Sequence, residues 1–259
     1  MKINEKAKQI SNESYSIGLR PDSVLSVSEW SDQFGMLPKR SSAEPGRYRT
    51  SRMPYMKEIM DCLSVSSPVE QVKFMKGTQL GATTGGVNWF GYCVHLCPAP
   101  MMVVLPTVDM ANRHSKQKIA PTIEETPVLR DRIREAKSRD SGNTTLIKEF
   151  VGGMIMLVGA NSGASFRNVS IRNLHLSDVD GYPPDTEDEG DPCGLAKNRT
   201  DAFGNRKIYI ESTPTNKGSS RIEQEYEDSD QRKFYVPCSH CHEKQVLMWS
   251  GIIFEHDKY

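Results

Sequence analysis

The feature that most constrains the fold is the stretch Lys-Gly-Thr-Gln-Leu-Gly-Ala-Thr-Thr at residues 76–84. An alternating apolar stretch, residues 69–75, precedes it and predicts a strand, and an apolar stretch with helical character follows it. A strand, a glycine turn and a helix in this order direct backbone N–H groups and a helix N-terminus toward one point, which suits an anion. The standard phosphate loop is G-x-x-x-x-G-K-[ST]. Here the two glycines are one residue closer, and Ala82 stands where the lysine is expected.

Two interpretations of this loop follow from the residues alone. A lysine is present at the other end, as Lys76, and only its ammonium group has to reach a phosphate, so its Cα can lie at the start of the loop. The alternative is an ordinary strand-to-helix turn that contains glycine, and the loop by itself favours neither.

The rest of the chain alternates between strand and helix patterns. Met-Met-Val-Val-Leu-Pro at residues 101–106 is typical of a buried parallel strand, and residues 144–160 predict a hairpin around Gly152 and Gly153. The intervening charged stretch is helical in pattern, with breaks expected at Pro121 and Pro127. Strands that alternate with helices predict an α/β fold, with a mostly parallel sheet flanked by helices.

Composition excludes several classes of protein. The 259 residues suffice for one large α/β domain with an appendage, and no apolar run approaches the 18 residues of a membrane span. The polar N-terminus lacks the apolar core of a secretory signal. Six cysteines, scattered apart from one C-x-x-C, fit a reducing cytoplasm. Because 33 basic residues balance 33 acidic ones, any surface that attracts nucleic acid must be local.

Two later strands end in polar residues. Asn-Leu-His-Leu-Ser-Asp-Val-Asp ends in Asp178 and Asp180, and Arg-Lys-Ile-Tyr-Ile-Glu runs into Ser212 and Thr213. The carboxyl ends of parallel strands share one sheet edge, so we expect these side chains beside the loop. One carboxylate can then hold a magnesium shell, another can orient water, and the hydroxyls can sense the terminal phosphate. A solvated acidic turn and a serine/threonine turn are the alternatives.

The chain resembles the ATPase half of a phage terminase large subunit of the lambda-like genome-packaging type. The stretches that carry the resemblance cover roughly residues 28–250 in family order: EPGRYRTSRMPYMKEIMD, FMKGTQLGATTG, MMVVLPT, GANSGASFRN, NLHLSDVDGYP, YIESTPT and YVPCSHCHEKQVLMW. The resemblance implies a P-loop NTPase of the additional-strand type, with a small cysteine-knuckle extension. It also implies a deviant loop that binds ATP with its lysine at the start.

The resemblance assigns the phosphate site to one continuous segment. Its residues are Lys76, Gly77, Thr78, Gln79, Leu80, Gly81, Ala82, Thr83 and Thr84. Thr83 and Asp178 are the expected Mg²⁺ contacts, Asp178 and Asp180 the expected catalytic carboxylates, and Ser212 and Thr213 the coupling residues.

One departure from the family pattern leaves the carboxylate assignment open. The family carries Asp-Glu where this chain has Ser177 and Asp178. Asp178 therefore stands either for the catalytic glutamate or for the magnesium-shell aspartate, with Asp180 then serving the water. A shortened or missing carboxylate predicts slow hydrolysis, because positioning the water is much of the catalysis.

Adenine and arginine contacts are expected elsewhere in the chain. Tyr48 and Tyr55, near Arg47, lie in the segment that holds adenine in the resembling family; core packing is the alternative for Tyr55. Arg167, in preference to Arg172, is expected to reach the γ-phosphate, in cis or from a neighbouring subunit.

Cys238 and Cys241 form a C-x-x-C that is typical of half a tetrahedral zinc site. His240 and His242 are close but awkwardly placed as further ligands, and the resembling family has another cysteine pair downstream. We therefore expect Zn²⁺ only with ligands beyond residue 259, where a nuclease domain is also expected.

The sequence thus predicts a polar N-terminal segment (1–27), loosely docked or mobile, an ATPase domain (28–232) and a cysteine knuckle that starts a linker (233–259). The expected function is an ATP-driven motor that moves double-stranded DNA into a procapsid in the host cytoplasm. Its expected partners are the terminase small subunit, the portal protein and further copies in a ring, with no membrane. A helicase-type ATPase and a nucleotide-binding assembly module without turnover are the alternatives.

Overall fold

A computed structural model describes residues 5–18, 24–133, 143–248 and 251 of the chain. The helices are α1 Glu5–Gly18, α2 Val27–Phe34, α3 Tyr55–Cys62, α4 Ala82–Leu96, α5 Val108–His114, α6 Ala120–Glu125, α7 Pro127–Arg130, α8 Pro192–Asn198 and α9 Arg221–Glu227. The strands are β1 Met36–Leu37, β2 Gly46–Arg47, β3 Gln71–Met75, β4 Met101–Leu105, β5 Ile147–Phe150, β6 Gly153–Gly159, β7 Asn173–Ser177, β8 Lys207–Ser212, β9 Val236–Pro237 and β10 Lys244–Gln245.

Six of these strands form one sheet in the order β3-β8-β7-β4-β6-β5. All neighbouring pairs are parallel except β5 and β6, which form an antiparallel hairpin at one edge. Because β8 lies between β3 and β7, the strand that precedes the glycine loop is separated from the strand that ends in carboxylates. This confirms the predicted mostly parallel α/β fold and its additional strand.

The sheet is covered on both faces, which explains why its central strands are apolar along their whole length. One face packs under α2, α3 and α4, with Trp30, Trp89 and Phe90 each at most 1 % exposed. The other face holds a second apolar cluster that includes Leu174, Leu176 and Ile222. Both clusters end at the carboxyl edge of the strands, so this edge is held rigidly from two sides.

Most predicted elements are present, with two differences. The N-terminal segment contains α1, whose residues 5–16 are exposed throughout. The helix expected to break at Pro121 instead continues from α5 through a π-helical turn, Ser115–Ile119, into α6, where the proline occupies the first turn. Proline has no N–H to donate, and the π-helical turn directly before it changes the hydrogen-bond pattern at this point of the continuous helix. The parts of the predicted patterns at 134–142 and 252–259 lie outside the described residues.

In the part of the chain that the structure describes, no helix has the length and apolar character needed to cross a membrane. After α9, the two short strands β9 and β10 pair only with each other, in an antiparallel hairpin. They carry the cysteine knuckle on a small unit of its own.

Candidate nucleotide-binding site

The glycine loop joins β3 to α4 at the carboxyl edge of the sheet. Lys76 follows β3 directly, and its backbone N–H donates to the carbonyl oxygen of Ser212 at 3.1 Å. Gln79 and Gly81 both adopt positive φ, of 63° and 76°, which bends the chain back to start the helix. The residues from Gly77 to Leu80 are exposed. The loop therefore presents backbone to solvent at its tip while both of its ends are fixed.

The N-terminus of α4 is suited to an anion. No side chain caps it, and its first turn contains no acidic residue. The helix is 15 residues long, so its first N–H groups carry the positive end of a substantial dipole. Thr83 and Thr84 are partly exposed in this first turn, whereas Ala82 is 1 % exposed and packs inward. These features are those of a phosphate-binding helix N-terminus.

Lys76 reaches back over the neighbouring strand. Its Nζ lies 3.1 Å from Oε2 of Glu211, and the side chains are 9 % and 0 % exposed. The oxygen Oε1 of Glu211 accepts a hydrogen bond from the Ser177 hydroxyl at 2.6 Å. His175 Nε2 lies 3.8 Å from the same oxygen. Burial raises the pKa of Glu211, but His175, Ser177 and Lys76 together hold it below its ordinary value, so the carboxylate is ionised.

Glu211 is the site residue that sequence reasoning missed. The available signal was a single acidic residue in β8, directly after the apolar residues 208–210, because a charge in a buried strand requires a partner. The sequence predicts site residues at the ends of strands, and Glu211 lies one position before the end of β8.

Asp178 follows β7 in the left-handed backbone region, with φ 56°, and its N–H donates to the carbonyl oxygen of Glu211 at 2.8 Å. Burial raises the pKa of the Asp178 carboxyl, and the negative charge of Glu211 raises it further, while Lys76 opposes both. The carboxyl group therefore lies at the carboxyl edge, beside Glu211 and Lys76. This placement agrees with the expected role of Asp178 near the phosphates.

Asp180 is tied into the fold, which argues against its predicted part in catalysis. Its Oδ1 accepts from the backbone N–H of Ile222 at 2.9 Å, and its Oδ2 accepts from the N–H and the hydroxyl of Thr215, both at 2.9 Å. Burial raises its pKa, but these hydrogen bonds and that of Ser220 outweigh burial and lower it. Because both oxygens of Asp180 already accept hydrogen bonds, its carboxylate stabilises the loop and α9. It is therefore poorly placed to orient water.

The predicted coupling residues lie at the end of β8. Ser212 is 2 % exposed, accepts a hydrogen bond from the Asp180 backbone N–H at 3.2 Å and donates to the carbonyl oxygen of Thr213 at 3.2 Å. Ser212 thus connects the tip of β8 to the tip of β7 and, through its carbonyl, to Lys76. The coupling role of Ser212 and Thr213 stays a prediction.

The two arginine candidates are separated by the sheet. Arg172 precedes β7 and donates to the carbonyl oxygen of Asn205 at 3.3 Å, so it lies at the amino edge, opposite the loop. Arg167 lies on the carboxyl side of β6, is 64 % exposed and pairs with Glu189. In the sheet order, β6 stands four strands from β3, so the strand that precedes Arg167 is not a neighbour of the strand that precedes the glycine loop.

The two tyrosines expected at adenine differ in exposure. Tyr48 is 2 % exposed, and burial, followed by the charge of Asp32, raises its pKa to about 12. Its ring belongs to the core, which argues against the predicted contact with adenine. Tyr55 is partly exposed, and its hydroxyl donates to the carbonyl oxygen of Leu80 at 3.2 Å, so Tyr55 touches the glycine loop itself. Arg47 is exposed on β2.

The cysteine knuckle lies between β9 and β10. The N–H of Cys238 donates to the carbonyl oxygen of Glu243 at 2.8 Å, and that of His242 to the carbonyl oxygen of Cys238 at 3.0 Å. Backbone hydrogen bonds from Cys241 and His240 lower the pKa of the Cys238 thiol. Among the described residues, no three His, Cys, Asp or Glu side chains are grouped as a metal site.

Comparisons with known proteins agree with this geometry. Residues 42–259 match the family described as phage terminase large subunit gpA, ATPase domain. The chain is 28 % identical over 225 residues to the terminase large subunit of Enterobacteria phage P21, covering 86 % of this chain and 35 % of that protein. It is 27 % identical over 230 residues to that of Escherichia phage lambda, covering 88 % and 35 %. The chain thus spans about a third of the length of these relatives.

A solved structure shares the fold. The crystal structure of the HK97 bacteriophage large terminase superposes with a TM-score of 0.61 at 11 % identity, over 78 % of this chain and 40 % of that one. The family match covers most of the chain. The chain belongs to the phage terminase large subunit gpA family, of which it contains the ATPase domain.

Proposed function

We propose that this chain hydrolyses ATP as the motor of a genome-packaging terminase and moves double-stranded DNA into a procapsid. The observation that carries the proposal is the buried ion pair between Lys76, at the start of an uncapped helix loop, and Glu211. It places a cation and a carboxylate at the sheet edge where phosphoryl transfer needs both.

The phosphates of ATP would lie against the loop from Gly77 to Thr84. The N–H groups at the start of α4 and the ammonium group of Lys76 stabilise their negative charge, and Tyr55 supports the loop and borders the adenine. These interactions position the terminal phosphate over the tips of β7 and β8.

The donor set at this edge fits Mg²⁺. Hard cations take hydroxyl and carboxylate oxygens, and Thr83 and Asp178 supply these, with Glu211 beside them. When bound with ATP, the ion neutralises charge that develops between the β- and γ-phosphates. The chain's own contribution is to fix these oxygens on rigid strands. Asp178 serves this site in one of two ways, as a ligand of the ion or as the group that orients the attacking water, and its place directly after β7 suits both.

Arg167 acts on a neighbouring subunit in this proposal, because it is exposed and follows a strand that stands four places from β3 in the sheet. A ring of copies around DNA would bring each Arg167 to the next site. The terminase small subunit and the portal protein are the proposed partners, in the host cytoplasm. We also propose the division into an N-terminal segment (1–27), the ATPase domain (28–232) and the cysteine knuckle (233–259), with Zn²⁺ bound only by ligands beyond 259.

Hydrolysis by a Lys76→Ala variant tests the proposal. We expect loss of ATPase activity with the fold retained, and Lys116→Ala, at an exposed lysine of the π-helical turn, serves as the control that keeps it. Turnover by Lys76→Ala at the wild-type rate would contradict the proposed site. ATP binding without hydrolysis by the wild-type chain, even with DNA and partners present, would instead indicate an assembly module.

A further inference from the structure

The position where the family carries its first carboxylate is occupied by Ser177, yet a carboxylate is present beside it. Ser177 on β7 and Glu211 on β8 are direct partners across two parallel strands. Their side chains lie on the same face of the sheet, because the Ser177 hydroxyl donates to Glu211 Oε1 at 2.6 Å. The hydroxyl thus holds a carboxylate that belongs to the next strand.

The second oxygen of Glu211, Oε2, faces Lys76. It is buried and lies 3.1 Å from Lys76 Nζ, but it makes no hydrogen bond within the described residues. Removing an ionised carboxylate from water is costly unless its oxygens find partners. Oε2 therefore has one ion-pair partner, and a further partner beside Lys76 would complete its contacts.

Lys76 defines where that partner lies. The lysine of a phosphate loop and the magnesium ion both contact the β- and γ-phosphates, so an oxygen within 3.1 Å of the ammonium group is near the ion's coordination shell. Asp180 is excluded because its oxygens bind Ile222 and Thr215. Asp178 lies on the same edge, directly after β7, where its backbone N–H donates to the carbonyl oxygen of Glu211 at 2.8 Å.

We propose that Glu211 supplies the carboxylate of the magnesium shell, transposed from β7 to β8, while Asp178 is left to orient water. This assignment rests on the proposed function and resolves the two alternatives for Asp178. Within it, Ser177 is a positioning residue that orients the Glu211 carboxylate.

The test measures how Mg²⁺ changes affinity for a fluorescent, non-hydrolysable ATP analogue, so it does not depend on turnover. In Glu211→Gln the enhancement by Mg²⁺ should fall by about 10–100-fold, as expected when a residue that supports a metal is lost. Affinity measured in EDTA should change little. Glu225→Gln is the matched control, because Glu225, on α9, is also mostly buried and pairs with two lysines, Lys73 of β3 and Lys197 of α8.

A rescue variant separates a metal role from a structural one. Ser177→Asp in the Glu211→Gln background returns a carboxylate to the adjacent strand and should restore most of the enhancement. A folded double variant without restoration would overturn the proposal, as would Glu211→Gln with the wild-type response to Mg²⁺. If Glu211→Gln fails to fold, Glu211→Asp supplies the test: its shorter side chain should weaken the enhancement, and an unchanged response would refute the assignment.

The outcomes distinguish this inference from the proposed function. A wild-type chain that binds no nucleotide with or without Mg²⁺ would contradict both. Nucleotide binding by the wild-type chain together with an unaffected Glu211→Gln would overturn only the role of Glu211.

Discussion

Two adjacent glycines of α4, Gly85 and Gly86, should respond differently to replacement by alanine. A Cβ atom on Gly86 would lie 2.3 Å from Cε1 and 2.6 Å from Nδ1 of His175. The His175 ring cannot withdraw, since it stacks on Tyr209 with centroids 4.8 Å apart and is 2 % exposed. A Cβ on Gly85 would lie 2.5 Å from the terminal methyl of Met56, which can rotate away.

The magnitudes follow from two opposing terms. Replacing glycine by alanine inside a helix stabilises it by about 1 kcal/mol. Overpacking a rigid core site costs about 1–3 kcal/mol, whereas moving a flexible methionine end costs about 0.5–1.5 kcal/mol. Gly85→Ala should therefore change the free energy of unfolding by at most about 0.5 kcal/mol in either direction, and Gly86→Ala should lower it by up to about 2 kcal/mol.

Urea unfolding of both variants measures the difference directly. A double-mutant cycle with His175→Ala provides the decisive control, because removing the ring removes the clash. In that background Gly86→Ala should become stabilising by about 0.5–1 kcal/mol. If Gly86→Ala proves as stable as Gly85→Ala with His175 present, the close packing of α4 on the polar side chains of β7 is wrong.

Three further predictions concern pH, metal and assembly. Burial, followed by the charge of His175, lowers the pKa of His114 from 6.5 to about 4, so between these values only the unfolded chain binds a proton and stability falls as pH falls. Urea unfolding should therefore show a loss of about 2 kcal/mol from pH 7.5 to 5 that is absent in His114→Gln. Elemental analysis should find well under one Zn²⁺ per chain, because Cys238 and Cys241 provide half a tetrahedral shell; one tightly held ion would contradict this. ATPase activity per chain should rise with protein concentration, and Arg167→Ala should remove the rise while Arg172→Ala keeps it. A high rate that does not change on dilution, in chains shown by light scattering to be monomeric, would refute the contribution of a neighbour.

The order of elements was predictable from local patterns. The alternation before the glycine loop, the apolar run at 101–105 and the paired glycines at 152–153 each determine a strand or a turn through contacts close in sequence. The positions of Lys76, Asp178 and Ser212 at one edge also followed, since strands of a parallel sheet point the same way.

Roles that depend on long-range contacts were not predictable. The motif predicts that Asp180 is a catalytic carboxylate. Its hydrogen-bond partners Thr215 and Ile222, which give it a structural role instead, lie 35 and 42 residues away in the sequence. Tyr48 reads like a ligand contact, but the packing of α2 and α3 buries it. Neither hydrogen-bond partners nor burial can be read from a single motif, because both depend on how distant segments meet.

The same limit explains why Ser177, taken from the sequence alone, indicates the loss of a carboxylate from the site. A motif records which residue type occupies a position on one strand, whereas a metal ion responds only to where an oxygen lies. Adjacent strands are about 4.8 Å apart, and a glutamate side chain on β8 spans enough of that gap to bring its carboxylate beside the partner position on β7. A serine at that position then serves better than a second acid, because two carboxylates in contact would raise each other's pKa, while a hydroxyl donates a hydrogen bond and fixes the orientation. The register of β7 on β8 therefore gives Ser177 and Glu211 together a physical reason to be present, and the slow hydrolysis expected from a missing carboxylate need not follow.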